Sequence, residues 1–208
     1  RQPTIRDLMT HTAGLTYGVF GNTEVDQAYR EAGLLGDMDL KAFVTALGKL
    51  PLQYDPGSQW HYSVSVDVQG YLVEVLSGMK FSEFLQQRIF GPLDMKDTAF
   101  KVNEGNKDRL TQLYKPEGVT AGNFFAPSTG DGLEVADAFV SAGYIYGSKF
   151  ESGGGGLIAT ARDYLRFSQM MLNGGVLHGV RILSPKTVDL MTTNHIGDLG
   201  LIFGRKGV

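Results

Sequence analysis

Cysteine is missing from the sequence of 208 residues. Its absence excludes a disulfide scaffold, a cysteine-ligated zinc site and a thiol nucleophile within these residues. Because a chain without disulfides can fold on either side of a membrane, the lack of cysteine does not indicate the cellular compartment. We expect a cytoplasmic protein, with a periplasmic or secreted one as the alternative.

Long apolar runs and an excess of one charge are missing as well. The apolar runs reach a handful of residues, far short of the roughly 20 that a helix needs to span a bilayer. Lysine and arginine number 19 against 22 aspartate and glutamate residues, which gives a net charge of −3. We therefore expect no membrane span and no nucleic-acid partner. The length suits one large domain or two small ones.

The signatures of several enzyme classes are also missing. No serine has glycine two positions before and two positions after it, which excludes the nucleophile elbow of α/β-hydrolases. The glycine cluster at 153–156 lacks the G-x-G-x-x-G spacing, because Ile158 stands in place of the third glycine. No H-E-x-x-H zinc motif occurs, so we expect no metal and no cofactor. The four histidines are interpreted as ordinary surface or core residues: His11, His61, His178 and His195.

What the sequence does contain is a series of capped helices. Six helices are predicted, starting after Thr4, after Asp39, at Ser65, after Ser82, after Thr160 and after Ser184. The first is expected to end at Gly14, and the third at Ser77 before Gly78. Residues 176–183 resemble a hairpin, 110–114 are strand-like, and 199–208 look like the start of a strand. The sum is an α+β chain with many helices and few strands.

One catalytic motif matches by spacing. Ser77 and Lys80 satisfy S-x-x-K, in which a lysine amine activates a serine on the same helical turn. Gly78, however, closes the preceding helix, and Ser82 opens the next one. The two side chains should therefore diverge across a turn, and we predict that Ser77 is not a nucleophile.

Five longer segments carry a family resemblance. They are PTIRDLMTHTAGL at 3–15, PGSQWHYS at 56–63, the helix VDVQGYLVEVLSG at 66–78, IFGPLDMKDT at 89–98, and residues 152–175 from SGGGGL to LNGG. In this order they resemble serine β-lactamase-like and penicillin-binding-protein-like proteins, a family that includes class C β-lactamases and carboxylesterases. The matches run from Arg1 to about Thr193, and the carboxylesterase branch is the most similar.

The resemblance implies a β-lactamase/transpeptidase-like fold. In that fold an antiparallel sheet flanked by helices meets a mostly helical part, and the active-site cleft lies between them. The resemblance implies a single, partial domain over residues 1–208. The S-x-x-K pair is expected upstream of Arg1, and the strand triplet, K-T-G-like or H-x-G-like, is expected beyond Val208. We therefore expect this chain to be incomplete at both ends, holding mostly the helical part with flanking pieces of the sheet part.

The resemblance also implies that Tyr62 is catalytic, because the family's P-G-x-x-W-x-Y-S motif supplies a tyrosine. A phenol with a pKa of about 10 is a poor base at neutral pH. Beside a lysine ammonium it ionises more easily, or it relays a proton from the serine to the leaving group. Without the resemblance, Tyr62 would be interpreted as a packed aromatic residue, as Trp60 is in either case.

Four further residues are expected to contact the substrate. Val64 stands where lactamases and peptidases carry asparagine, and it can neither donate nor accept a hydrogen bond. Together with the adjacent residues 65–67, which look like the esterase branch, it favours ester substrates. Gly155, beside Gly154, falls where class C enzymes place a pocket-lining tyrosine, which implies a wider acyl site. Tyr17 is expected near the opposite wall. Taken alone, the glycines indicate a flexible loop before a capped helix.

The function implied is a serine hydrolase, specifically a carboxylesterase that cleaves short-chain or bulky small-molecule esters through an acyl-enzyme. A D-alanyl-D-alanine peptidase, a β-lactamase and a non-catalytic ligand-binding relative stay open as alternatives. The 208 residues alone are expected to be inactive, because the nucleophile and the oxyanion donors are expected outside them. The sequence carries no indication of oligomeric state.

Overall fold

A computed structural model describes residues 1–118, 130, 132–136 and 143–200. Within them, helices account for most of the regular secondary structure. The helices are α1 (Ile5–Met9), α2 (Glu24–Glu31), α3 (Leu40–Leu47), α4 (Ser65–Ser77), α5 (Phe81–Leu85), α6 (Ala161–Leu172) and α7 (Pro185–Met191). A π-helical turn, Gln86–Phe90, continues α5, and a 3-10 turn covers Glu104–Arg109. Two antiparallel pairs join β1 (Tyr114–Pro116) to β2 (Leu133–Val135) and β3 (Val176–Leu177) to β4 (Val180–Arg181). The predicted α+β class is confirmed.

Side-chain caps begin four of the predicted helices. The Thr4 hydroxyl caps α1 by accepting from the Asp7 N–H, and the Thr4 N–H in return donates to the Asp7 carboxylate. Asp39, Thr160 and Ser184 likewise accept from the amide three residues further on. The cap therefore fixes each of these starts locally. The first helix nevertheless ends at Met9, because His11 takes a φ of +53°. The predicted end at Gly14 is wrong.

Two predictions around α2 and α5 differ from the structure. No helix was expected at 24–31, yet Thr23 and Asp26 form a full capping box there. The predicted cap at Ser82 is wrong, because α5 already begins at Phe81 after Lys80. Ser82 instead donates both its backbone N–H and its hydroxyl to the Glu151 carboxylate, at 2.7 Å each. Its side chain joins two distant segments rather than starting a helix.

The prediction of a strand-like segment at 110–114 is largely wrong. The 3-10 turn ends at Arg109, and β1 starts at Tyr114, opposite Val135. Ala136 still donates its N–H to the Leu113 carbonyl at 2.9 Å, but β2 reaches no further along the chain. The hairpin of β3 and β4 is confirmed, with positive φ at both turn residues, as a type I′ turn requires. Of the predicted tail strand, residues 201–208 lie outside the described residues.

Two apolar clusters form the core. The first lies under α2, α3 and the start of α4, and it contains Ala13, Leu15, Tyr29, Leu34, Phe43, Leu47 and Val64. The second joins α6 to the β3–β4 hairpin, and it contains Phe90, Leu93, Met95, Met170 and Leu177. Helices α1, α3 and α5 all pack against α4, which makes α4 the central helix of the N-terminal half. Among the described helices, none combines the length and the apolar character needed to cross a membrane.

Candidate active site

Tyr62 lies at the centre of an aromatic cluster. Its ring centroid is 5.1 Å from that of His11, 5.3 Å from Tyr17, 5.8 Å from Phe20 and 6.4 Å from Trp60. We call these five residues the aromatic cluster. Tyr62 is half-buried, so its ring is held on several sides while part of it stays accessible. Rings packed in this way restrict the orientation of the phenol group.

The backbone brings two of the motifs together around this cluster. The His61 N–H donates to the His11 carbonyl at 2.9 Å, and the Gly57 N–H donates to the Thr12 carbonyl at 2.7 Å. Gly57 has a φ of +84°, which suits glycine and turns the chain before Trp60. The segments at 3–15 and 56–63 therefore form one unit, although 40 residues lie between them in the sequence.

A chain of hydroxyl groups runs behind Tyr62. His11 Nδ1 lies 3.4 Å from Ser63 Oγ, which lies 2.9 Å from Ser65 Oγ. Ser63 and Ser65 are buried, so this chain fixes the backbone on either side of Val64 rather than reaching substrate. Ser63 and Ser65 are therefore structural serines.

Both histidines of the motifs are held as neutral rings. Burial lowers the pKa of His11 and of His61, and the neighbouring His61 lowers the pKa of His11 further. His61 Nε2 lies 3.3 Å from Thr16 Oγ1, which donates to Asp26 at 3.0 Å. At neutral pH, His11 within the aromatic cluster and His61 beside it are therefore both uncharged. The sequence analysis missed this arrangement, although His11 lies inside the first motif.

A cavity of about 440 Å³ borders the aromatic cluster. Tyr17, Gly154 and Gly155 line it together with Phe100 and Phe150. A Cβ at Gly154 would lie 2.5 Å from the Tyr17 hydroxyl, whereas a Cβ at Gly155 would meet nothing within 4 Å. Glycine is therefore required at 154 by close approach, and at 155 it leaves the cavity open.

Val64 occupies a different environment from the other predicted site residues. It is 1% exposed and packs in the first core cluster, immediately before α4. It also lines a second cavity of about 620 Å³, which Tyr17 shares. Tyr17, Gly154 and Gly155 thus line one cavity, and Tyr62 adjoins it through its ring contact with Tyr17. Val64 is buried in the core beside a different cavity.

Asp67 is a buried residue of this region that the sequence analysis did not assign to the site. It lies in the first turn of α4 and is 0% exposed. Its Oδ1 accepts from Ser152 Oγ at 2.5 Å and from the Gly154 N–H at 3.2 Å. The signal was an aspartate between two valines, because a carboxylate in an apolar stretch needs partners from elsewhere in the fold.

The S-x-x-K match at Ser77 and Lys80 is divided by a turn, as expected. Helix α4 ends at Ser77, Gly78 adopts a φ of +70°, and Lys80 precedes α5. Ser77 Oγ accepts from the Met79 N–H at 3.2 Å. Among the described residues, no three His, Asp or Glu side chains are placed to hold a metal ion.

Comparison with solved structures defines the fold class. EstCE1, described as a hydrolase with promiscuous acyltransferase activity, matches with a TM-score of 0.72 at 26% identity, over 90% of this chain and 49% of that one. A simvastatin synthase from Aspergillus terreus matches with a TM-score of 0.65 at 25% identity, over 90% of this chain and 42% of that one. The described part therefore has the β-lactamase/transpeptidase-like fold.

The sequence comparison then gives the family. The Beta-lactamase family model matches residues 1–198, and the chain belongs to that family. Esterase EstB of Burkholderia gladioli is 30% identical over 171 residues, covering 78% of this chain and 43% of the relative. The chain spans less than half the length of these relatives. It is thus part of a serine hydrolase family with esterase and acyltransferase members.

Proposed function

We propose that the protein containing this chain is a carboxylesterase that cleaves small-molecule esters with bulky apolar acyl groups. The observation that carries the proposal is the position of Tyr62, half-buried in the aromatic cluster and adjacent to the cavity lined by Tyr17, Gly154 and Gly155. A titratable phenol beside an apolar cavity is the arrangement expected where a proton is transferred next to a bound acyl chain.

In the proposed reaction, a serine outside these 208 residues attacks the ester carbonyl carbon. Tyr62, ionised to the phenolate beside the lysine expected outside these residues, takes the proton from the serine hydroxyl and delivers it to the leaving alkoxide, which departs as the alcohol. Water then attacks the acyl-enzyme with the same group acting as base, releasing the carboxylic acid and restoring the serine. Proton transfer by one positioned group of this kind contributes about 10²–10⁴-fold to the rate.

Two residues support an ester over an amide-bearing β-lactam or peptide. Val64 offers no hydrogen bond to a substrate amide, and it is packed in the core. Gly155 leaves open space where a side chain would narrow the cavity. Both features favour a substrate recognised by apolar contact along its acyl chain. The apolar lining of the cavity supports the proposed substrate class.

The test is an ester panel on the full-length protein. We expect hydrolysis of p-nitrophenyl esters from acetate to branched or long acyl chains, without turnover of a chromogenic cephalosporin. Gly155→Tyr should reduce kcat/KM about tenfold or more for the bulky esters and less for acetate, because the ring would fill the cavity. Gly155→Ala is the matched control, and it should leave the panel nearly unchanged.

Two results would contradict the proposal. Turnover of the cephalosporin with no ester hydrolysis would favour a β-lactamase. An equal loss on acetate and bulky esters in Gly155→Tyr would show that this cavity does not hold the acyl chain.

A further inference from the structure

The Asp67 carboxyl group joins three segments that are distant in the sequence. Its position in α4, five residues after Tyr62, places it directly behind the cleft. Its Oδ1 holds the glycine-rich loop through two donors, the Ser152 hydroxyl and the Gly154 amide. These bonds span 85 and 87 positions of the chain. They fix the cavity wall to the helix that follows Tyr62.

The second oxygen of the same carboxyl group faces Tyr17. Asp67 Oδ2 is buried and makes no hydrogen bond of ordinary geometry among the described residues. It lies 3.2 Å from the point where a Gly154 Cβ would stand, and the Tyr17 hydroxyl lies 2.5 Å from the same point. The two oxygens therefore border one small space that glycine leaves free. The Tyr17 ring in turn contacts the Tyr62 ring.

The electrostatics of this contact are consistent with its geometry. Burial raises the pKa of Asp67, against the lowering by its bonds from Ser152 and Gly154. Burial, the Asp67 carboxylate and Tyr62 raise the pKa of Tyr17. Tyr17 thus keeps its proton beside Asp67, and its phenol is a neutral wall of the cleft rather than a second base.

We propose that Asp67 is a positioning residue for the cleft, whose one carboxyl group sets the glycine-rich loop through Oδ1 and the Tyr17 ring through Oδ2. It would thereby fix both walls of the cavity relative to Tyr62. For catalysis this rests on the proposed esterase function, whereas the positioning of the loop does not. Burying a carboxyl group is costly, and here that cost is offset by bonds that converge on the cleft.

Asp163 provides a matched comparison within the same chain. It is also a buried aspartate, and its carboxylate accepts from the Asp97 N–H at 2.8 Å and from the Thr98 hydroxyl at 3.0 Å. Like Asp67, Asp163 therefore anchors a loop to a helix through one backbone N–H and one hydroxyl group. None of its partners lines the cavity beside Tyr62. A purely structural role predicts the same behaviour for both residues.

The experiment compares Asp67→Ala, Asp67→Asn and Asp163→Ala in the full-length protein. Hydrogen–deuterium exchange reports the loops, and kcat and KM for an acetate and a bulky ester report the cleft. In Asp67→Ala we expect exchange at 152–156 to accelerate about tenfold or more, and kcat/KM for the bulky ester to fall about 10–100-fold. Asp67→Asn should stay within about threefold of wild type in both, because its amide keeps an acceptor for the loop and offers a donor to Tyr17.

In the control variant, Asp163→Ala, hydrogen–deuterium exchange should change while ester hydrolysis does not. Asp163→Ala should accelerate exchange around Asp97 and leave kcat/KM within about threefold of wild type. If Asp67→Ala does not fold, Ser152→Ala removes one donor to Oδ1 and should show the same effects to a smaller degree.

Three outcomes would overturn the proposal. These are wild-type exchange at 152–156 in a folded Asp67→Ala protein, equal losses of activity in Asp67→Ala and Asp163→Ala, or loss of both properties in Asp67→Asn. A wild-type protein without ester hydrolysis would instead refute the proposed function, and exchange at 152–156 would then decide the positioning role alone.

Discussion

At the scale of single residues, Tyr62 carries the chemistry assigned to this chain. Its ring is packed against His11 and Tyr17, and burial keeps the imidazole of His11 neutral. A neutral ring beside the phenol adds no positive charge that would favour its ionised form. We propose that the activating cation is the lysine that the family resemblance predicts outside these residues.

The first residue-scale prediction is that Tyr62→Phe reduces the rate of acylation about 10²–10⁴-fold in the full-length protein, because one acid–base group is removed. The fold should be retained, since the ring contacts are kept. The measurement is the burst of p-nitrophenol from a short-chain ester, with circular dichroism as the check on folding. Tyr164→Phe, at an exposed position of α6, is the control and should behave as wild type. Wild-type turnover by Tyr62→Phe would remove Tyr62 from the mechanism.

The residues of the site differ in how far the sequence could predict them. Tyr17, Tyr62, Gly154 and Gly155 were all named from the family resemblance. In the structure Tyr17 contacts the Tyr62 ring and lines a cavity together with both glycines. Their roles toward substrate stay predictions. Asp67 was missed because its donors lie 85 or more positions away. The local signal, an aspartate between two valines, indicates that partners are needed but not which residues supply them. Distant pairing of this kind follows from tertiary packing.

At the scale of helices and strands, local chemistry explains most of the outcome. A cap acts on an amide three residues away, so the starts of α1, α3, α6 and α7 could be predicted from the sequence. The start of α2 carried the same signal in Thr23 and Asp26, but few apolar residues follow it. The Ser82 cap failed for the opposite reason, because Glu151 from a distant segment takes both of its donors.

The element-scale prediction concerns the end of α4. Ser77→Ala should leave kcat/KM within about threefold of wild type, because Gly78 directs the chain away and separates Ser77 from Lys80. The cost in stability should be about 0.5–1.5 kcal/mol, the usual contribution of one hydrogen bond, here from the Met79 N–H. Chemical denaturation and ester hydrolysis on the same preparation check both values. A folded but inactive Ser77→Ala protein would contradict the assignment.

At the scale of the whole molecule, polar tethers bind the C-terminal segments to the N-terminal half. Arg166 of α6 donates to the Leu93 carbonyl at 2.7 Å and to Asp94 at 2.9 Å. The chain also exposes large apolar side chains, among them Leu76 at 77% and Leu172 at 81%. Exposed apolar surface of this kind is typical of faces that contact another element or partner. The resemblance predicts that the remaining parts of the family fold contribute the nucleophile and the oxyanion donors.

The central claim is that these residues supply the proton-transfer group and not the nucleophile. The most direct measurement is incubation of the full-length protein, and of the 208 residues alone, with a fluorophosphonate, followed by intact mass and peptide mapping. We predict one adduct on the full-length protein, on a serine outside residues 1–208, and none on the 208-residue chain. A stoichiometric adduct on any serine of this chain, Ser77 included, would contradict the account.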